Sequence, residues 1–353
     1  EYFQQQEGNN PLRLDSGHAG TVLRFLALRV ARKSGNYILE GTPRLFERPQ
    51  AELSKLLRQL GCLVETTHQE LHLESAGWRL MGDQVHIDTS KSSQFASAFL
   101  LNAWGYPQDI FFRTTANWVS QSYFDLTLAM VRQAGMKVEK ISRQEFLIPA
   151  NQVIHFEKKI ECECDMSSAF ALAACAVVGG RVLLTSWPEK SLQPDFRFVE
   201  ILQQMGAQVQ FRKGALEVHQ TTTKLSPVKI NLKNCPDLFP SLSALAAIAE
   251  GESSFSGLDH LVHKESDRLA QMCVLFERLE IPFQRGRSEI RIKGQGEKVS
   301  LKKDPILFEP DGDHRLAMAA MVLKLAGYPL KIQDADVVNK SFPNFWKIVG
   351  API

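Results

Sequence analysis

The sequence predicts an α/β (α+β) protein of two domains assembled from repeated βαβαββ units, and three observations predict it. Small-residue, Ala-rich helix patterns begin near Gly20, Ser92, Ser167, Phe239 and Asp313, so their starts lie 72, 75, 72 and 74 residues apart. Amphipathic helix patterns that end in a turn and a strand recur at Leu60-Gly61, Ala134-Gly135, Met205-Gly206 and Leu279-Glu280, in steps of 74, 71 and 74 residues. Strands of alternating apolar and polar residues follow them, as at Glu70–Glu74, Gln144–Ile148 and Glu289–Lys293. Two separate landmark series with one period make a repeat.

Each copy reads in the same order. Helix A comes first, then a short strand (Tyr37–Gly41, Ile110–Thr114, Arg181–Thr185, Glu252–Gly257, Pro329–Asp334), a polar loop, helix B and the alternating strands. Helix A is apolar on nearly all sides and is expected to be buried, whereas helix B carries charge and is expected to cover it. The chain opens on what reads as the tail of a unit: a strand at Glu1–Gln5, a Gly-Asn-Asn-Pro turn and a strand at Leu12–Asp15. It stops after helix B of the fifth copy, near Trp346. Five helix pairs are therefore expected, with a sixth missing at the amino end. The expected domains are 1–163, one unit short, and 164–353, with three units.

Composition narrows the partners. The 353 residues carry 41 Lys and Arg against 39 Asp and Glu, a formal charge of +2. Nucleic-acid and membrane-surface binders are held by a surplus of Lys and Arg, so neither class is expected, and any anion must be met by local clusters. The longest apolar stretches, such as Ala169–Val178, fall far short of the roughly 20 residues of a spanning helix. The six Cys (62, 162, 164, 175, 235 and 273) show no C-x-x-C, which suggests buried reduced thiols in the cytoplasm. His68 and His72 are four apart in an alternating run, and no metal site is expected from them.

Polar residues collect at the start of each helix A: Gly17–Thr21, Ser92–Gln94, Asp165–Ser168, Pro236-Asp237 and Asp311–Arg315. Unpaired N–H groups and the helix dipole make such starts fit for phosphates and carboxylates. Ser, Asp and Gly there equally serve as N-caps, and both readings stay open. Capping does not explain Arg315. The loops before helix B carry complementary charge, at Arg44–Pro49, Lys264–Arg268 and Lys340–Pro343, with Val119–Tyr123 as the polar counterpart. Arg48, Arg268, Arg315 and Lys340 sit at corresponding edges of different repeats, which a pseudo-symmetric fold would bring together, and planar Arg groups suit bidentate capture of carboxylate or phosphate.

The strings Gly17–Thr21 with Arg24, Glu47-Arg48-Pro49, Ser92-Ser93-Gln94, Lys264-Glu265-Ser266-Asp267-Arg268, Asp313-His314-Arg315 and Asn339–Pro343 resemble the ordered motifs of the 5-enolpyruvylshikimate-3-phosphate (EPSP) synthases. The resemblance runs from about Leu14 to the carboxyl end. It implies an inside-out α/β barrel of the enolpyruvyl transferase type, with two domains of three units each that close on the substrates. It implies cytoplasmic transfer of the enolpyruvyl group of phosphoenolpyruvate to the 5-hydroxyl of shikimate 3-phosphate, with release of phosphate, in aromatic amino acid biosynthesis. No cofactor is implied, and a monomer acting on small molecules is expected.

By the same resemblance Arg48, Gln94, Arg268, Arg315 and Lys340 hold phosphoenolpyruvate, with Gly20 lining its pocket. Ser92, Ser93, Gln94, Ser120 and Tyr123 hold shikimate 3-phosphate, with Thr21 at its edge, Lys264 reaching across, and His260 where the family commonly has Asn against the ring. Asp237 and Glu265 match the family's two carboxylates, a base for the 5-hydroxyl and an acid for the methylene carbon. His18 replaces the usual Asn and Phe25 a common Pro, and no stretch supplies the family's Lys-Ser pair and following Arg of the first unit. A truncated, inactive homologue, or a fragment that retains only partial anion binding, is therefore the alternative. The sister transferase acting on UDP-N-acetylglucosamine fits less well, because no Cys occurs in Arg44–Pro49. Gly20 implies sensitivity to glyphosate.

Overall fold

The structure, a computed structural model, describes residues 10–153, 162–222, 224–296 and 304–350. The expected strand at Glu1–Gln5 lies outside them. The chain divides into two compact units, Glu1–Ile160 and Glu161–Ile353.

In the first unit, β1 (Leu12–Asp15), α1 (Gly20–Val30), β2 (Ser34–Glu40), α2 (Pro43–Glu47), α3 (Ala51–Gln59), β3 (Leu63–Thr66) and β4 (Glu70–Ala76) form one repeat. The second follows as β5 (Val85–Ile87), α4 (Gln94–Asn102), β6 (Ile110–Thr114), α5 (Gln121–Gln133), β7 (Glu139–Lys140) and β8 (Glu145–Ile148). The sheets are ordered β1-β2-β4-β3 and β5-β6-β8-β7. Strands β1 and β2 run parallel, with Leu12 beside Tyr37 and Leu14 beside Leu39, because α1 carries the chain back between them. Strand β4 pairs antiparallel with both β2 and β3. Helix α1 packs on α4, whose Phe95, Ala96, Ala98, Phe99 and Leu100 are all buried.

The second unit comprises α6 (Met166–Gly179), β9 (Arg181–Thr185), α7 (Phe198–Gln204), β10 (Gln208–Arg212) and β11 (Ala215–His219). Next come β12 (Lys229–Asn231), α8 (Phe239–Ile248), β13 (Glu250–Ser256), α9 (Arg268–Arg278), β14 (Phe283–Arg285) and β15 (Glu289–Gln295). The last copy holds β16 (Ile306–Phe308), α10 (His314–Leu325), β17 (Leu330–Ile332) and α11 (Phe345–Val349). Here α6, α8 and α10 pack on one another and form the core. Every residue of α8 from Phe239 to Ala247 is buried, and so are Leu316 to Leu323 of α10. Their Ala content favours the helix and lets neighbouring backbones approach closely. Charged α9 turns only Leu269, Met272, Cys273, Leu275 and Phe276, together with Arg268, inward.

One turn recurs after each helix B. Gly61, Gly135 and Gly206 close α3, α5 and α7 with φ of +80°, +91° and +79°, the left-handed conformation that glycine adopts without a Cβ clash. Glu280 holds the same place after α9, at φ +56°.

Two expectations need correction. All six thiols are free, but only Cys62, Cys175, Cys235 and Cys273 are buried. Cys162 and Cys164 are exposed, because they lie in the extended stretch before α6, outside either core. His68 lies in the turn before β4 rather than on the strand, and His72 instead bonds Glu70 at 2.7 Å. Among the described residues no group of three or more His, Cys, Asp or Glu is placed to hold a metal.

Candidate active site

The second unit gathers six charged side chains around Arg268, the first residue of α9, which is 1% exposed. Its Nε donates to Asp313 Oδ2, one terminal nitrogen to Asp237 Oδ1 and the other to Glu265 Oε2, each at 2.7 Å. Arg315 reaches Asp237 Oδ2 at 3.1 Å and Lys264 reaches Asp237 Oδ1 at 3.4 Å. Lys340 reaches Glu265 Oε1 at 3.2 Å. Local structure sets these positions. Asp313 is the N-cap of α10 and accepts from Arg315 N–H at 3.0 Å, which sets Arg315 in the first turn of the helix. Asp237 sits in the short turn Pro236–Leu238 that opens α8, and Lys340 ends the 3₁₀ turn Ala335–Lys340.

The electrostatics follow from the crowding. Burial disfavours an ionised Asp237, yet Arg315, Lys264 and Arg268 outweigh it and hold the carboxyl well below the usual range. Burial likewise opposes the charge on Arg268, and Asp313, Glu265 and Asp237 raise its pKa well above the ordinary value. His260, 5% exposed, is pushed down to about 3 by burial and by Lys264, and stays neutral. His314 falls to about 4 through burial and Arg315. His260 Nε2 and Arg315 Nε are buried without hydrogen-bond partners among the described residues.

The first unit builds a second cluster. Arg24 of α1, 2% exposed, donates to Gln94 Oε1 at 2.7 Å and to the Pro49 carbonyl at 3.0 Å, and lies over the Phe95 ring at 4.8 Å. Gln94 in turn donates to Thr21 Oγ1 at 3.1 Å. A Cβ on Gly20 would stand 2.9 Å from a terminal nitrogen of Arg48, so the bare glycine admits that guanidinium. Ser93 is buried, and Ser92 Oγ accepts from Gln94 N–H at 3.2 Å. Ser120 takes a left-handed φ of +55° before α5, buried with its hydroxyl unpartnered, and its carbonyl accepts from Tyr123 N–H.

The open question about helix starts divides. Asp165 and Asp313 cap α6 and α10 with side-chain bonds to Ser168 and Arg315 N–H. The N-cap residues of α1, α4 and α8, Ala19, Ser93 and Leu238, make no side-chain cap bond. Arg268, Arg315 and Lys340 are brought together with Lys264, Asp237, Glu265 and His260 in the second unit. Arg48 stands with Gly20 in the first. Sequence reasoning missed Asp313 as the partner of Arg268 and Arg24 as the tie between three motifs. Both lie inside quoted strings, and their signal was a charged residue on the inner face of an otherwise apolar helix start.

Repeats of helices clad by mixed sheets, with convergent cations at the helix starts, define the enolpyruvyl-transferase class of fold. The family model for EPSP synthase (3-phosphoshikimate 1-carboxyvinyltransferase) matches residues 2–349, and the chain belongs to that family. A 3-phosphoshikimate 1-carboxyvinyltransferase of Vibrio cholerae is 33% identical over 341 residues, 95% of this chain and 78% of the relative. Another, of Syntrophobacter fumaroxidans, is 34% identical over 338 residues, 94% of this chain and 78% of the relative. Among solved structures, the EPSP synthase of Acinetobacter baumannii superposes with a TM-score of 0.71 at 24% identity, covering 96% of this chain and 78% of that one. The enolpyruvyl transferase NikO of Streptomyces tendae gives 0.57 at 13% identity, covering 97% and 95%. These two likenesses speak for the fold. The chain is an enzyme of the family, and the enolpyruvyl transfer expected from its sequence is the family's reaction. Among the described residues no helix is long and apolar enough to cross a membrane.

Proposed function

We propose that this chain transfers the enolpyruvyl group from phosphoenolpyruvate to shikimate 3-phosphate with Asp237 and Glu265 as its proton-transfer groups. The observation that carries the assignment is the convergence of Arg268, Arg315, Lys264 and Lys340 on these two carboxylates. Phosphoenolpyruvate brings a carboxylate and a phosphate that fit the same guanidinium and ammonium donors. Arg268, Arg315 and Lys340 are assigned to those groups, and Arg48 and Gln94 to the same ligand by resemblance, with Gly20 lining its pocket. Ser92, Ser93, Gln94, Ser120 and Tyr123 are assigned to shikimate 3-phosphate, with Thr21, Lys264 and neutral His260.

In the addition step, the 5-hydroxyl oxygen bonds to C2 of phosphoenolpyruvate and its proton passes to Asp237, while Glu265 delivers a proton to the methylene carbon. Return of a proton from that carbon to the Glu265 carboxylate, with departure of phosphate that carries off the proton held by Asp237, then restores the double bond. An ionised Asp237 has the charge state of a base. Glu265, between Arg268 and Lys340, must be desolvated by bound substrate to carry a proton. Asp237→Asn and Glu265→Gln are each expected to lower kcat by more than about a hundredfold with the fold intact by circular dichroism. Near-normal turnover in both removes the assignment.

A monomer acting in the cytoplasm is the setting that the near-neutral charge and free thiols support. Sedimentation equilibrium at micromolar concentration tests the first part.

A further inference from the structure

The first unit holds a cleft of about 500 Å³ bordered by α3, the ends of β5 and β6, and the start of β8, within the range of small-ligand sites. It is lined by two carboxylates, Glu52 and Asp88, and by two cations, Lys55 and Arg113. Glu52 is 6% exposed: Oε1 takes Lys91 Nζ at 2.8 Å, and Oε2 is buried with no hydrogen-bond partner. Asp88 Oδ1 accepts from Ser90 N–H at 2.8 Å. Burial acts against its charge, but the Ser90 bonds and the Lys91 and Lys55 charges prevail and keep it ionised. Arg113 meets Glu145 only at 4.0 Å, a weak hold on a half-exposed guanidinium.

The arrangement restricts the ligand. Two carboxylates exclude a polyanion, and two cations exclude a metal ion. A strand cannot add at β5 either, because the Gln59 side-chain amide already occupies that edge, bonding His86 N–H and C=O at 2.8 Å each. What remains is a small molecule of zero net charge carrying both signs.

We propose that this cleft binds a free α-amino acid, with its ammonium group at Asp88 on the Glu52 side of the cleft and its carboxylate held by Arg113 and Lys55. The site lies wholly in the first unit and does not depend on the residue roles assigned to the carboxyvinyl transfer. The test is a thermal-shift survey of the twenty amino acids on the whole chain, followed by calorimetry of the best binder. Its decarboxylated amine and its deaminated acid are titrated beside it, without phosphoenolpyruvate or shikimate 3-phosphate. Saturable binding of one amino acid per chain is expected, with both truncated analogues weaker by about tenfold or more. Arg113→Gln, on an exposed strand position, is expected to lose about the same factor, and Glu52→Gln likewise. No saturable heat up to about 20 mM, analogues that bind as well as the amino acid, or an unchanged affinity in Arg113→Gln each overturn the proposal.

Discussion

Arg268 donates through Nε to Asp313 Oδ2 at 2.7 Å, and neither side chain meets solvent, at 1% and 0% exposure. Asp313 also receives Ser266 Oγ at 3.3 Å and caps α10 at Arg315 N–H. One carboxylate therefore holds two of the three arginines assigned to phosphoenolpyruvate, Arg268 by its guanidinium and Arg315 by its backbone N–H. Removing it in Asp313→Ala leaves Arg268 Nε without its acceptor while Asp237 and Glu265 still hold the terminal nitrogens, and breaking a buried pair costs up to about 3–5 kcal/mol. Urea unfolding should show a loss of that size, with KM for phosphoenolpyruvate raised in the folded fraction. A loss below about 0.5 kcal/mol would mean that the pair contributes nothing.

Acid should weaken the protein through its buried histidines. His260 and His314 have folded pKa values of about 3 and about 4, below the ordinary 6.5 of an unfolded chain. Between those limits the unfolded state binds more protons, so stability is fully present above about pH 6.5 and falls as pH drops toward 4 and 3. Each group contributes a slope of up to about 1.4 kcal/mol per pH unit. Asp237, with its lowered pKa, acts in the same direction at still lower pH. Calorimetric Tm at pH 7, 6 and 5 should decline, and His260→Asn should decline less steeply. Parallel curves would contradict this.

Gly20 is a tight steric feature of the first cluster. Gly20→Ala places a methyl 2.9 Å from the Arg48 guanidinium, which must move. KM for phosphoenolpyruvate is expected to rise about tenfold, and glyphosate at the same pocket to lose at least as much affinity. Steady-state competition kinetics decide it. An unchanged half-inhibitory concentration in the variant, or an unmodified chain that resists glyphosate, would detach Gly20 from that pocket.

The repeat was legible because each copy must bury the same helix and turn at the same place, so composition and punctuation recur with the period. Ala-rich α8 and the turn at Gly206 were both visible in this way. The fourth turn, at Glu280, shows the limit, since a non-glycine residue holds a left-handed φ there and leaves no glycine signal. Charged motifs marked Arg268, Arg315 and Lys340, but not that Asp313 would accept from Arg268 or Arg24 from α1 would bond Gln94 from α4. Such pairings are long-range, 45 and 70 residues apart, and depend on which faces of two helices meet. The exposure of Cys162 and Cys164 was hidden for the opposite reason, because it follows from the core the segment does not join.

The central claim is that this chain performs the carboxyvinyl transfer of its family, and one measurement addresses it directly. Purified protein is mixed with phosphoenolpyruvate and shikimate 3-phosphate, and released phosphate and the enolpyruvyl product are followed by ³¹P NMR. The account predicts equal amounts of the two, formed only when both substrates are present and abolished in Arg268→Ala. Phosphate released without shikimate 3-phosphate, or no turnover by a folded chain, would contradict it.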